Sequence, residues 1–225
     1  MRSHPALRVL VVDDDENVRE SYRAIIARQT DVELAGEATD GNQAEDAYAQ
    51  LLPDVVLMDL QMPQMSGIDA TRALVSRWPE AIVVAMTTFG SRDYVVAALR
   101  AGASGYLLKD VHEGSFVAAL RQAVAGEMPL SASIRRALVS AVVAEEAKPP
   151  AQHDLTPREE ELIRWLARGL TNAQIARQMH LSEGSVKQYM ARASSKLGVA
   201  SRTQLLISAI QLGVVDPLRI PPPRS

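Results

Sequence analysis

The chain of 225 residues contains no cysteine. Disulfides, thiolate zinc sites, iron–sulfur clusters and cysteine nucleophiles are thereby excluded. Aromatic residues make up only 4%, too few for a single-strand binder that stacks bases on rings. No run approaches the ~20 uninterrupted apolar residues needed to cross a bilayer. Met1-Arg2-Ser3-His4-Pro5 opens no apolar signal segment, so the expectation is a cytoplasmic protein with no membrane partner. No Gly-x-Gly-x-x-Gly follows the first apolar run, which disfavours a dinucleotide-binding oxidoreductase. What is there is ordinary for a globular protein, 47% hydrophobic and 23% charged. The length suits one or two domains.

The net charge of −3 hides an asymmetry. Residues 1–130 carry 11 Lys and Arg against 19 Asp and Glu, a net of −8. Residues 162–202 carry seven basic residues (Arg164, Arg168, Arg177, Lys187, Arg192, Lys196, Arg202) and one acid, Glu183, a net of +6. The pattern suggests a cation site in front and a polyanion partner behind. Charge alone leaves random surface charge on two domains as the alternative.

Apolar runs alternate with helical spacing through the first half. Strands are expected at Leu7–Val12, Val32–Ala38, Asp54–Asp59, Ala81–Met86 and Gly105–Leu108. Helices are expected at Asn17–Gln29, Gly41–Leu51, Gly67–Arg77, Arg92–Ala101 and Glu113–Ala125. Five βα units argue an α/β doubly wound, five-stranded parallel sheet, whose ligands sit beyond the carboxyl ends of the strands. A further helix over Ser133–Glu146 and a linker at Ala147–His153 precede a segment with no strands at all. There Thr156-Pro157-Arg158-Glu159 is a capping box with proline at the first helical position. The division is then 1–130, a linker with a helical part at 131–153, a small all-α unit at 154–216, and a disordered tail at 217–225.

Asp13-Asp14-Asp15 at one strand end and Asp59 at another crowd like charges that need a counter-ion. Oxygen ligands with open positions suit Mg²⁺. Lys109 and Thr87, also at strand ends, supply an ammonium and a hydroxyl. Such a set fits phosphoryl transfer with Asp59 as nucleophile, and a structural acid cluster is the plainer alternative. Val12-Asp13-Asp14, Met58-Asp59-Leu60-Gln61-Met62-Pro63, Met86-Thr87-Thr88 and Gly102-Ala103-Ser104-Gly105-Tyr106-Leu107-Leu108-Lys109 resemble a two-component receiver domain, a flavodoxin-like fold, over about residues 6–127. The resemblance implies that Asp59 accepts the phosphoryl group and that Asp14 and Asp59 bind Mg²⁺ directly. It also implies that Gln61 contributes a backbone carbonyl and that Asp13 acts at least partly through water. Thr87 and Lys109 then engage the phosphoryl group, with Tyr106 as a switch residue or a half-buried packing residue. Asp15 departs from relatives with this output domain, which often have histidine there; its charge is expected to alter metal affinity or phosphoryl lifetime.

Thr171–Met179 reads as a short helix capped by Thr171, and His180-Leu181 as a turn. A second helix starts at Ser182 and carries Val186, Tyr189, Met190, Ala193 and Leu197 at helical period. This is a helix-turn-helix pattern or a plain helical bundle. Lys187 and Gln188 lie near the end of the second helix that reaches base edges; Arg192 and Lys196 are placed for phosphates or for solvent. Leu155-Thr156-Pro157-Arg158-Glu159, Gly169–Ala176, Ser185-Val186-Lys187 and Lys196-Leu197-Gly198-Val199 resemble a LuxR-type DNA-binding domain, and the whole chain a NarL/FixJ-type response regulator. Carried over, Lys187 and Gln188 contact the groove, and Thr171, Asn172, Ser185 and Lys196 contact phosphates. Tyr189 replaces the histidine common after the Val-Lys pair. A fourth helix at 203–213 offers Leu205, Leu206, Ala209 and Leu212 either to a second copy or to its own core.

The implied function is a transcription factor, not an enzyme, switched by a cognate histidine kinase. It binds double-stranded DNA and forms a homodimer on phosphorylation, or else its receiver masks residues 182–197 until phosphorylated. A regulator that works without phosphorylation is the alternative. An aspartyl-phosphate phosphohydrolase is disfavoured because Gln61 stands where haloacid dehalogenase-like enzymes carry a second acid, and an amide cannot act as general acid or base.

Overall fold

The computed structural model describes residues 6–88, 92–109, 112–130 and 153–215. The expected helix over Ser133–Glu146, the residues of the linker before His153 and the tail from Pro217 lie outside them. Five strands, β1 (Leu7–Val12), β2 (Val32–Ala38), β3 (Val55–Asp59), β4 (Val83–Thr87) and β5 (Gly105–Leu108), form one parallel sheet ordered β2-β1-β3-β4-β5. Parallel neighbours require crossovers, here α1 (Glu16–Ala27), α2 (Ala44–Leu51, entered by a 3₁₀ turn at Gly41–Gln43), α3 (Gly67–Arg77) and α4 (Arg92–Ala101). α5 (Glu113–Val124) follows β5.

The strands carry continuous apolar runs because both faces are covered. Period-two alternation then sorts the side chains. Val9, Val11, Val55 and Leu57 join Tyr22, Ile26, Phe116 and Leu120 of α1 and α5. Leu10, Val12, Val56 and Met58 join Tyr48 and Leu74 of α2 and α3. Tyr22 and Phe116 stack at 4.9 Å between centroids. Each such buried side chain contributes about 1.5–3 kcal/mol relative to exposure. The chain runs from β1 outward to β2 and then crosses to β3 on the other side of β1, so a crevice opens between the carboxyl ends of β1 and β3.

The second unit holds α6 (Pro157–Ala167), α7 (Asn172–Met179), α8 (Glu183–Leu197) and α9 (Arg202–Gln211). Capping boxes start three of them: Thr156 with Glu159, Thr171 with Gln174, and Ser201 with Gln204. Ser182 caps α8 by accepting from the Ser185 amide. Two left-handed residues end α7 and α8, His180 at φ 54° and Gly198 at φ 65°. Only the glycine takes that conformation without a Cβ penalty. The fourth helix starts one residue before the expected 203 and stops two before 213. Leu205, Leu206 and Ala209 are fully buried, in a cluster that also holds Val95, Leu99 and Tyr106 of the first unit. In this arrangement they pack inside the chain.

Candidate functional site

Strand ends place the acidic set as expected. Asp13 follows β1 and is fully buried, Asp59 ends β3 at 4% exposure, and Asp14 faces solvent. Carboxylate oxygens of the three lie within 4.8 Å of one another. Lys109, after β5, bridges them: its Nζ lies 2.7 Å from Asp13 Oδ2 and 3.1 Å from Asp59 Oδ1. The Lys109 amide also donates to the Thr87 carbonyl, which ties the ends of β4 and β5. Burial pushes the Asp59 carboxyl up to about 6, Lys109 pulls it down and Asp13 pushes it further up. Burial opposes the Lys109 ammonium, but its hydrogen bond to Asp13 and the charges of Asp59 and Asp13 outweigh that and raise its pKa. Among the described residues one cation, Lys109, faces three carboxylates and leaves negative charge uncompensated, so this oxygen-only donor set fits a hard divalent ion such as Mg²⁺.

Thr87 is buried, and Tyr106 is 1% exposed inside the cluster with α4. Burial raises the Tyr106 phenol to about 12, with neighbouring Thr87 acting in the opposite direction. The half-buried alternative for Tyr106 is thus replaced by full burial, because α4 and Leu130 close over the ring. Gln61 stands on the far rim, its Nε2 donating to the Tyr94 hydroxyl at 3.4 Å. Asp14, Gln61, Met62, Ser66 and Tyr94 line an open groove of ≈ 450 Å³ beside Asp59.

Several supporting residues carry no motif signal. Arg19, buried on α1, donates to the Asp13 carbonyl at 2.7 Å and pairs with Glu16. Asp40 is buried and accepts from the Gln64 and Met65 amides, bracing the loop that carries Gln61. Burial raises its pKa, but these backbone bonds prevail and lower it. At Gly67 a Cβ would sit 1.7 Å from the Asp59 carbonyl oxygen, so only glycine lets α3 start against the strand end. Asp15 has a role the sequence reading did not assign. It caps α1, accepting from the Asn17 amide at 2.9 Å, and that bond, more than Lys109, lowers its pKa.

On the basic side, Lys187, Gln188 and Arg192 stand exposed on one side of α8, while Val186 and Ala193 point into the bundle. The Arg192 guanidinium lies 5.7 Å from the Tyr189 ring. The expected phosphate contacts are partly engaged elsewhere. Lys196 Nζ is 2.7 Å from Glu159, a carboxylate 3% exposed at its side chain. Ser185 shares a hydroxyl–hydroxyl bond of 2.9 Å with Ser182, and Thr171 caps α7. Asn172 is buried, donating to the Ala125 carbonyl at 3.4 Å and accepting from Arg202. Spacing places these residues on or at the starts of α7 and α8 but cannot reveal such pairings.

Residues 9–121 match the family profile of the response regulator receiver domain, and residues 153–209 that of bacterial regulatory proteins of the luxR family. A transcriptional regulatory protein of Bacillus subtilis, YxjL, is 38% identical over 217 residues, covering 93% of this chain and 98% of that protein. The nitrate/nitrite response regulator protein NarL of Escherichia coli is 32% identical, covering 92% and 96%. The crystal structure of the response regulator ChrA, from a heme-sensing two-component system, superposes with a TM-score of 0.52 at 33% identity, covering 94% and 100%. A receiver fold joined to a helix-turn-helix unit defines a class, the DNA-binding transcriptional regulators of two-component systems. This chain belongs to that family, as a response regulator with a LuxR-type DNA-binding domain.

Proposed function

We propose that Asp59 is the phosphoacceptor of this regulator and that a cognate histidine kinase is its donor. The observation that carries this is the Lys109 bridge between Asp13 and Asp59, with three carboxylates converging at the β1/β3 crevice. An Asp59 oxygen attacks the phosphorus of a phosphohistidine; the P–O bond forms as the P–N bond breaks, and the imidazole leaves with its electron pair. Asp13, Asp14, Asp59 and the Gln61 carbonyl would hold Mg²⁺, which would supply positive charge to the phosphoryl oxygens. Lys109 and Thr87 receive those oxygens once the acyl phosphate exists. The chain is a switch and not an enzyme, and it works in the cytoplasm; among the described residues no helix is long and apolar enough to cross a membrane.

The division follows the same reading: a receiver at 1–130, a linker at 131–153 and a DNA-binding domain at 154–216. Lys187 and Gln188 contact major-groove base edges and Arg192 the backbone, with Thr171, Asn172, Ser185 and Lys196 reaching phosphates once released from their internal partners. A homodimer formed on phosphorylation sets two α8 helices on half-sites about 10 base pairs apart. Incubation with radiolabelled acetyl phosphate is the test. Label is expected only with Mg²⁺ and is lost in Asp59→Asn, because an amide is no nucleophile. Full labelling of that variant places the acceptor elsewhere.

A further inference from the structure

Asp13 is held through each of its polar groups. Its amide donates to the Ala38 carbonyl at 3.1 Å, one carboxylate oxygen accepts from the Asp15 amide at 3.0 Å, and the other meets Lys109 at 2.7 Å. The fourth partner comes from outside the pocket: Arg19 Nη1 donates to the Asp13 carbonyl at 2.7 Å. That carbonyl belongs to the peptide joining Asp13 to Asp14, two carboxylates of the acidic set. A trans peptide is planar, so the bond that aims the carbonyl also fixes the plane from which the exposed Asp14 side chain departs. Docking of α1 is already provided for, because Asp15 caps the helix and Tyr22 and Ile26 bury its inner face beside Phe116.

Arg19 is only 6% exposed, and a buried guanidinium is costly unless it is paired. Its second arm, Nη2, pairs with Glu16, which also meets Arg23 at 3.4 Å; Arg23 in turn lies 2.7 Å from Glu37 on β2. A neutral donor could hold one carbonyl without that cost, whereas a planar fork holds a carbonyl and a carboxylate at once. We propose that Arg19 is a positioning residue of the phosphorylation site: it sets the Asp13–Asp14 peptide for a divalent cation, and Glu16 cancels its charge so that the cation is not repelled. The proposal rests on the Mg²⁺ reading of the pocket given above. α1 thereby acts on the site through one backbone carbonyl.

Mn²⁺, a hard divalent ion that also takes oxygen ligands, is the probe. It is added to the unphosphorylated full-length chain, and its free fraction is read by electron paramagnetic resonance. A parent that binds no Mn²⁺, or binds it no better than Asp14→Asn does, overturns the metal reading and this proposal with it. Arg19→Met keeps an apolar stem and removes both bonds. It is expected to bind Mn²⁺ about tenfold more weakly, the lower end for groups that orient a metal ligand. Arg19→Lys, which can still donate to the carbonyl, should bind more tightly than Arg19→Met. In acetyl phosphate labelling, Arg19→Met should need about tenfold more Mg²⁺ for its half-maximal rate, and saturating Mg²⁺ should restore most of the parent's rate. A purely structural arginine would lower the melting temperature and leave Mn²⁺ affinity alone. Unchanged affinity in folded Arg19→Met therefore overturns this proposal alone, and so does an Arg19→Lys no tighter than Arg19→Met. Glu16→Gln alters an exposed side chain, so it decides the matter even where Arg19→Met does not fold. Arg19 then keeps the carbonyl and loses its counter-charge. Relative to the parent, Mn²⁺ binding should weaken in about 10 mM salt and recover at about 1 M, as the screening length falls from ~30 to ~3 Å. Glu20→Gln, the same charge change one turn further along α1, is the control and should do less. No weakening in Glu16→Gln, or an equal one in Glu20→Gln, overturns the role of the pair.

Discussion

At the scale of single residues, the acidic pocket predicts a pH signature. The Asp59 carboxyl titrates near 6 in the folded chain and near 3.8 when unperturbed. Between those values the folded state holds the proton more tightly than the unfolded state, so stability falls as pH rises. The penalty is absent below about pH 4 and fully present above about pH 6, on the order of 2–3 kcal/mol for a shift of this size. Asp59→Asn should therefore stabilise the chain in EDTA at pH 7.5 and do little at pH 4, as urea titrations can measure. An equal effect at both pH values would contradict the assignment. Lys196 makes the opposite case. Glu159 feels burial first, but the Lys196 hydrogen bond and the Thr156 amide outweigh it and depress its pKa. Its stabilisation is present at neutral pH and lost as pH falls through the acid range. Lys196→Ala is expected to lower stability by roughly 1–3 kcal/mol at pH 7 by leaving a buried carboxylate short of a partner. Lys187→Ala, exposed on α8, should leave stability unchanged and reduce discrimination between specific and random duplex by about 1–3 kcal/mol. Thermal melts and binding titrations on both variants separate the two roles.

Among the elements, the strands and crossover helices were legible because their signals are local. Five continuous apolar runs and helical spacing at period 3.6 placed the five strands and five helices of the receiver, with Asp13, Asp59, Thr87 and Lys109 at strand ends; the 3₁₀ turn at Gly41–Gln43 was read as the start of α2. The capping box Thr156–Glu159 and the N-cap Thr171 start α6 and α7 at the expected residues, and Gln174 completes a second box that the sequence reading did not name. What escaped is tertiary: Arg19 reaches the Asp13 carbonyl six residues back only once α1 packs on the strand end, and Asp40 under the Gln61 loop and Lys196 on Glu159 join residues far apart in sequence. Asp15 escaped for another reason. A third aspartate in a row reads as charge, yet its carboxylate serves as a helix cap. The end of α7 offers a test of local geometry. His180 is held left-handed at φ 54° and is exposed, a conformation costing a non-glycine residue about 1 kcal/mol. His180→Gly should raise the melting temperature by a few degrees. A fall would mean that the imidazole makes a contact worth more than the backbone relief.

For the whole molecule, the sheet crevice and the basic helix occupy different domains, joined by docking rather than by one continuous sheet or bundle. Yet the apolar cluster does not respect that division. Val95, Leu99, Tyr106 and Leu130 of the receiver lie in one cluster with Leu162, Leu166, Ile175 and Leu206 of the DNA-binding domain. The consequence is calorimetric. Two domains that share apolar contacts cannot melt independently, since unfolding either one strips cover from the other. Heating the unphosphorylated chain should give a single endotherm, whose van't Hoff enthalpy approaches the calorimetric enthalpy of the whole protein. Any change that opens the docked face should divide that peak in two. Heat capacity alone would then register the state of the switch, with neither DNA nor kinase in the cell.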